Sequence, residues 1–222
     1  MQGGFPIDLI LFGMVAAFLV LRLRSVLGKR TGFERQAGEK PVAPPAGARA
    51  PEADPARIAA PAGLPRVLLP DPASPVSQVI RRIIEIDKAF APASFLAGAE
   101  GAFRMIVEGF AAGDRQTLRG LLSDDTYAGF EGAITAREKA GETQRTEIRA
   151  VQELSIEGAE LRGTVADISV RIVSDQVNMT TGQDGLPVAG ADAVTEIIDI
   201  WTFQRDLRSP DPTWKLVGTR SA

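Results

Sequence analysis

Apolar and polar positions follow three different rhythms along this chain, and each predicts a different kind of segment. From Leu9 to Leu21 no charge interrupts the apolar residues, and Ile7 extends the run with only Asp8 between them. Measured from Phe5 to Leu23, the stretch approaches the roughly 20 residues that cross a bilayer as a helix. Ile7, Leu9, Phe12, Val15, Phe18 and Leu21 are its candidate anchor residues, with Arg22 and Arg24 just beyond. Arg22 can snorkel to the interface, and the excess of Arg and Lys after the run places that side in the cytoplasm by the positive-inside rule. A cleaved signal peptide would carry its charge before the run and a small-residue cleavage site after it, the opposite of this pattern. A helix lying in the membrane interface is the alternative.

The second rhythm is no rhythm. Between Thr31 and Pro75 prolines crowd together with Ala and Gly, from Pro41, Pro44 and Pro45 to Pro70, Pro72 and Pro75. Few aromatic or β-branched residues are available to build a core, so a disordered, semi-extended linker is expected. Val67-Leu68-Leu69 is a small apolar group within it, a candidate docking patch. The expected layout is an anchor with its basic flank at 1–30, a linker at 31–74 and a folded domain at 75–222.

Regular periods begin around Ser74 to Ser77. Val76, Val79, Ile80, Ile83, Ile86 and Phe90 fall on one helical stripe, with Arg81, Arg82, Glu85 and Lys88 off it. That stripe either packs on the fold or lies on a membrane; Val79, Ile80, Arg81, Arg82, Ile83 and Lys88 are the candidate residues of a membrane-facing helix. A second helix is predicted from Pro92 to Ala112, with Phe95, Ala99, Ala102, Phe103, Ile106, Val107 and Phe110 inward and Gly113 as its stop. Asp114 and Ser123 start two more, the first carrying Leu118, Leu121 and Leu122 and the second ending at Gly141.

After Gly141 the period changes to two. Ile148, Val151 and Leu154 lie in a strand-like segment, and Gly158 is read as a turn. Ala166, Ile168, Val170 and Ile172 alternate with Asp167, Ser169 and Arg171, the mark of a half-buried antiparallel strand. Asp184-Gly185 is a hairpin tip inside a long loop from Thr181 to Asp192. Ile197 to Asp206 is apolar on both faces and reads as a central strand, joined through Ser209-Pro210-Asp211-Pro212 to a last strand at Trp214 to Val217. Helices followed by a meander of about four long strands define an α+β domain, its N-terminal helices packed on a curved antiparallel sheet.

Composition narrows the chemistry. The chain has no cysteine and no histidine, so disulfides, thiolate catalysis and the commonest general base and metal ligand are all excluded. A net charge of -3 gives no reason to expect nucleic acid, whose binding usually needs a strongly basic face. No glycine pattern for cradling phosphate occurs. The candidate acids are Asp167, Asp175, Glu196, Asp199 and Asp206, and Asp199 most attracts a catalytic reading, because its neighbours Ile197, Trp201 and Phe203 are apolar and burial would raise its pKa. Pairing with an Arg or Lys on a neighbouring strand is the plainer expectation.

Several blocks resemble the Tim44-like domain: Gly98-Ala99 with Phe103, Met105, Ile106 and Phe110; Gly113-Asp114 with Leu118, Leu121 and Leu122; Leu161-Arg162-Gly163 with Ser174-Asp175-Gln176; and Asp199 to Phe203 with Arg205-Asp206, Asp211-Pro212 and Trp214. That family includes the C-terminal domain of a mitochondrial inner-membrane import-motor subunit and bacterial TimA-type adaptors. The resemblance implies a cone-shaped fold of the nuclear-transport-factor-two-like class with a hydrophobic cavity, and contact with acidic phospholipid of the inner membrane. It also implies a role in gathering translocation components. The long N-terminal segment of the mitochondrial members is replaced here, so their motor function does not carry over.

The expectation is therefore a single-pass protein of a bacterial inner membrane with a cytoplasmic adaptor or scaffold domain and no enzymatic activity. It binds membrane phospholipid and protein partners linked to translocation, with no cofactor, no metal and no nucleic acid. A pocket lined by Phe103, Ile106, Phe110, Trp201 and Phe203 would accept an acyl chain, a lipid or a peptide. The alternative is an isomerase- or hydrolase-type enzyme using Asp199. A structural tether, its interior filled by its own side chains, is the third reading.

Overall fold

Ser74 begins the first helix, at the near end of the range expected: its hydroxyl accepts the amide N–H of Ser77 at 3.1 Å, and Pro75 occupies the first helical position. The computed structural model describes residues 64–222, which fall within one compact unit, residues 62–222. The expected anchor residues, Ile7 to Arg24, lie outside the described residues, as does most of the expected linker. Among the described residues no helix is long and apolar enough to cross a membrane.

The order is β1 (Arg66–Leu68), α1 (Pro75–Ile86), α2 (Pro92–Ala112), α3 (Arg115–Leu121), α4 (Asp124–Lys139), β2 (Thr143–Arg162), β3 (Val165–Thr181), β4 (Pro187–Asp206) and β5 (Lys215–Ser221). Short polar side chains set the helix starts. Asp114 accepts the Thr117 amide and Ser123 the Thr126 amide, satisfying N–H groups that a helix leaves free in its first turn. Gly113 closes α2 in a left-handed conformation, φ 71°, with its amide turned back to Phe110.

The strands form one open sheet in the order β1-β2-β3-β4-β5. β2 to β5 are antiparallel neighbours, and β1 runs parallel to β2, Val67 opposite Leu154. Residues 66–68, read in the sequence as linker, thus belong to the sheet; a three-residue strand among prolines shows no period. Gly158 does not turn the chain either. It lies inside β2 opposite Ser169, next to one of three register shifts that bend this strand, and the turn comes at Gly163, φ 63°.

On the inner face Ala166, Ile168, Val170 and Ile172 of β3 are wholly buried against Trp201 and Phe203 of β4 and against Leu96, Phe103 and Ile106 of α2. Phe103 meets Trp201 edge-on at 4.9 Å, and Trp214, just before β5, sits between Phe90 and Phe95. Such aromatic pairs add about 0.5–1.5 kcal/mol each beyond the area they bury. The turn between α3 and α4 docks on β5 through Ser123 N–H to the Leu216 carbonyl. At the far end of α4, Arg137 lies over the Phe110 ring and donates to the carbonyls of Phe110 and Ala111, at 2.7 and 3.1 Å, closing the end of α2.

The long loop expected at Thr181 to Asp192 is instead a hairpin arm. Its tip is Gly182 to Leu186, and β4 resumes at Pro187. Between Ala191, opposite Asn178, and Thr195, opposite Gln176, extra residues face Val177 alone, and this bulge destroys the alternation that would have revealed the strand. Gly190 makes the arm possible: its φ is 77° and a Cβ there would stand 2.1 Å from the Asn178 carbonyl oxygen. Gly190→Ala is expected to cost about 2 kcal/mol and to speed amide exchange over 187–194. Gly163→Ala, also at positive φ but with nothing within 4 Å of the new Cβ, costs about 1 kcal/mol. Urea unfolding of both variants checks the difference.

Candidate functional site

The stripe of α1 turns inward. Ile80 and Ile83 are buried in the core, and Val79 is partly buried against it. Arg81, Arg82 and Lys88 face solvent, and Ile86 is 39% exposed among them. The chain ahead of α1 lies along this helix, held by Ser77 Oγ donating to the Asp71 carbonyl at 2.7 Å and Arg81 Nη1 to the Pro72 carbonyl at 2.9 Å. That segment adds exposed Leu64, Arg66, Val67 and Leu69. The exposed side chains of α1 and of the chain ahead of it are thus cations and apolar residues interspersed with Asp71 and Glu85, while Glu153 of β2 stands opposite Arg66 and Asp87 is held by Arg205. The basic residues named from sequence are therefore accessible, and the apolar ones named with them hold the helix to the fold.

The residues expected to line a pocket are brought together inside. Phe103 and Ile106 are completely buried, Phe203 and Trp201 nearly so, and Phe110 is half-buried against Phe130, ring centroids 5.1 Å apart. They fill the space between α2 and the sheet by touching one another. A half-open cavity of about 370 Å³ lies elsewhere, between the start of α1 (Pro75, Val76, Val79) and Gly158, Glu160, Asp167, Ser169 and Thr202 of the sheet. Its polar wall is already satisfied in part: Ser169 and Thr202 bond each other at 2.9 Å, and Asp167 accepts from Gln204 at 2.7 Å and pairs with Arg162.

Asp199 sits on the inner face of β4, opposite Ile172 on one side and Ser221 on the other. No cation pairs with it among the described residues, contrary to the plainer expectation from sequence, because its cross-strand partners in this register are uncharged. Burial alone pushes its carboxyl up to about 6 from the usual 3.8. Near it the inner face of β3 turns polar: Gln176 donates to the Ser174 hydroxyl at 2.8 Å, and Asn178 to the Gln176 carbonyl oxygen at 3.1 Å. Ser174 and Gln176 are buried, and the side-chain chain of hydrogen bonds satisfies them. Sequence alternation alone would have placed both on this face.

Arg205 follows Phe203 inward and reaches the C-terminal cap of α1, where its Nη1 donates to Asp87 Oδ2 at 3.0 Å. Both side chains are about 15% exposed, 15% and 14%, and Arg205 Nε is buried without a partner. Among the described residues no group of three carboxylates stands close enough to hold a metal ion.

The family model of the Tim44-like domain matches residues 76–221, which take in every helix and long strand described above. This chain belongs to the Tim44-like domain family. No curated protein matches it. Among solved structures this Tim44-like chain is similar to the intermembrane space region of the chloroplast protein ARC6, with 12% identity over 57% of this chain and 95% of that one, TM-score 0.42. A member of the NTF2-like family from Streptomyces avermitilis is similar at 13% identity over 60% of this chain and 99% of that one, TM-score 0.34.

Proposed function

We propose that this Tim44-like domain is a membrane-surface adaptor that rests on anionic phospholipid and holds a protein partner there. The observation that carries the reading is the solvent face of α1 and the turn after it, where Arg81, Arg82 and Lys88 are exposed on the same short stretch as Ile86, with exposed Arg66 and Leu69 in the chain just ahead of the helix. Cations at an anionic membrane contribute about 1 kcal/mol each, and neighbouring apolar side chains can enter the headgroup region. A single-pass N-terminal anchor, a cytoplasmic domain and a link to protein translocation complete the proposal. The apolar run before the domain, its basic flank and the family membership support them.

Neutralising Arg82 and Lys88 together, as Arg82→Gln and Lys88→Gln, is expected to weaken binding to anionic vesicles about thirtyfold, the equivalent of about 2 kcal/mol. Both side chains are exposed, so unfolding by heat should be unchanged. Vesicle titration of residues 62–222 reads the change; equal affinity of variant and parent would remove α1 from the membrane contact.

A catalytic reading has one observation behind it, the raised pKa of Asp199, which makes a carboxyl able to exchange protons near neutral pH. Aromatic side chains fill the interior beside it, and the cavity is lined by other residues. The adaptor is therefore the better reading. Asp199→Asn separates the two, since an adaptor keeps its vesicle binding and an enzyme loses its turnover.

A further inference from the structure

β5 covers only part of its neighbour. Its pairing with β4 starts at Gln204 and stops at Asp199, with one more bond from the Ala222 amide to the Ile198 carbonyl. From Pro187 to Ile197 the outer side of β4 has no strand beside it among the described residues. An open edge presents a row of amide and carbonyl groups ready to pair with another strand, and proteins usually protect it with lysine, proline or brevity. Here the edge is long and has no lysine. Its one proline is the first residue, and Val188 and Val194 are more than half exposed, 51% and 58%. The bulge after Ala191 bends the edge without covering it.

The charge of this arm is one-sided. Between Arg171 and Arg205 the chain carries Asp175, Asp184, Asp192, Glu196 and Asp199 and neither lysine nor arginine. Asp175 and Glu196 stand directly opposite each other across β3 and β4, an arrangement that like charges make unfavourable unless a cation joins them. Gln152 donates to Asp175 at 2.7 Å, but it brings no charge. Asp192 is partly neutralised by Arg145 at 3.2 Å, and Glu196 lies exposed.

We propose that the β4 edge from Pro187 to Ile198 docks an extended segment of a partner protein in which basic and apolar residues alternate. The segment adds as a strand where β5 leaves off, its main chain bonding the free edge; its cations lie on the face of Glu196 and Asp175, their aliphatic stems along Val194, and its apolar residues lie on the other face beside Thr195 and Ile197. A second copy of this chain is the wrong occupant. Antiparallel pairing of two such edges about Val194 sets Asp192 of one copy against Glu196 of the other, a like-charge contact. The arm would be repelled by the anionic surface that attracts α1, so the domain would present opposite charges to lipid and to partner. This rests on the adaptor reading for its use in the cell, but the binding itself needs no lipid.

The test uses the full chain and a labelled ten-residue peptide of alternating Lys and Val, read by fluorescence anisotropy without vesicles. Two controls are an alternating Glu and Val peptide and the Lys/Val peptide methylated on alternate backbone nitrogens, which keeps every side chain but blocks strand pairing. The Lys/Val peptide should bind at least about tenfold more tightly than the Glu/Val peptide, slow amide exchange within 187–198, and lose its binding on N-methylation or in Glu196→Lys. Binding by the N-methylated peptide, protection elsewhere on the domain, no binding at all, or a peptide-free dimer with its 187–198 amides already protected would each overturn the proposal. Vesicle binding that survives any of these results leaves the adaptor reading standing.

Discussion

Asp199→Asn is expected to stabilise the domain at pH 7 by about 2 kcal/mol and to leave it unchanged near pH 3.5. Among the described residues the carboxyl has no cation or hydrogen-bond donor to favour its charged form, and burial raises its pKa from 3.8 to about 6. The folded state therefore holds the proton more tightly than the unfolded chain does. Below the unfolded value the group is neutral in both states and costs nothing. As pH rises through 3.8 toward about 6 the folded state must either keep a proton that solvent would take or bury a charge, and stability falls. A shift of about two pKa units corresponds to about 3 kcal/mol; part of the side chain still meets water, which brings the expected effect nearer 2. Asn keeps the shape and cannot ionise. Urea unfolding of residues 62–222 at several pH values should show the parent and variant curves converging in acid and parting above pH 6. Curves parallel at every pH would mean that folding does not shift Asp199, and curves parting in the opposite sense would mean that a cation pairs with it.

Breaking the bond between Asp87 and Arg205 should cost more. The two lie 3.0 Å apart with little water around either, and they tie the end of α1 to the inner face of β4. Asp87→Ala leaves the guanidinium buried, beside an Nε that already lacks a partner, and should destabilise by about 3 kcal/mol. Adding Arg205→Met removes the stranded charge and fills the space with an apolar chain. The double variant should then be more stable than Asp87→Ala alone, with the losses clearly non-additive. A double variant as unstable as the sum of the two singles would show that each side chain acts through its own packing and not through the pair.

Most helix starts were legible because each rests on local chemistry. Asp114 and Ser123 cap where the sequence places them, α1 starts within the range expected, and Pro92 and Gly113 bound α2. The core face of β3 was legible for the same reason, since Ala166, Ile168, Val170 and Ile172 repeat with the period of a strand. What escaped were features set by distant partners. β1 is too short to carry a period and exists through its pairing with β2. The β4 arm hides behind a bulge whose shape depends on how closely Gly190 approaches Asn178. Whether Asp199 meets a cation depends on a register that places Ile172 and Ser221 beside it, and nothing in the local sequence states that register. The stripe on α1 was legible as a stripe but not as an address: the same spacing serves a core or a membrane, and only the burial of Ile80 and Ile83 shows that its apolar side is taken.

The flotation of residues 62–222 with vesicles tests the membrane-surface adaptor most directly, comparing neutral with anionic lipid over rising salt. Flotation is expected with anionic vesicles only, lost as salt screens Arg66, Arg81, Arg82 and Lys88 from the headgroups. A domain that stays in solution with both kinds of vesicle at low salt, or floats equally with both at high salt, would contradict it.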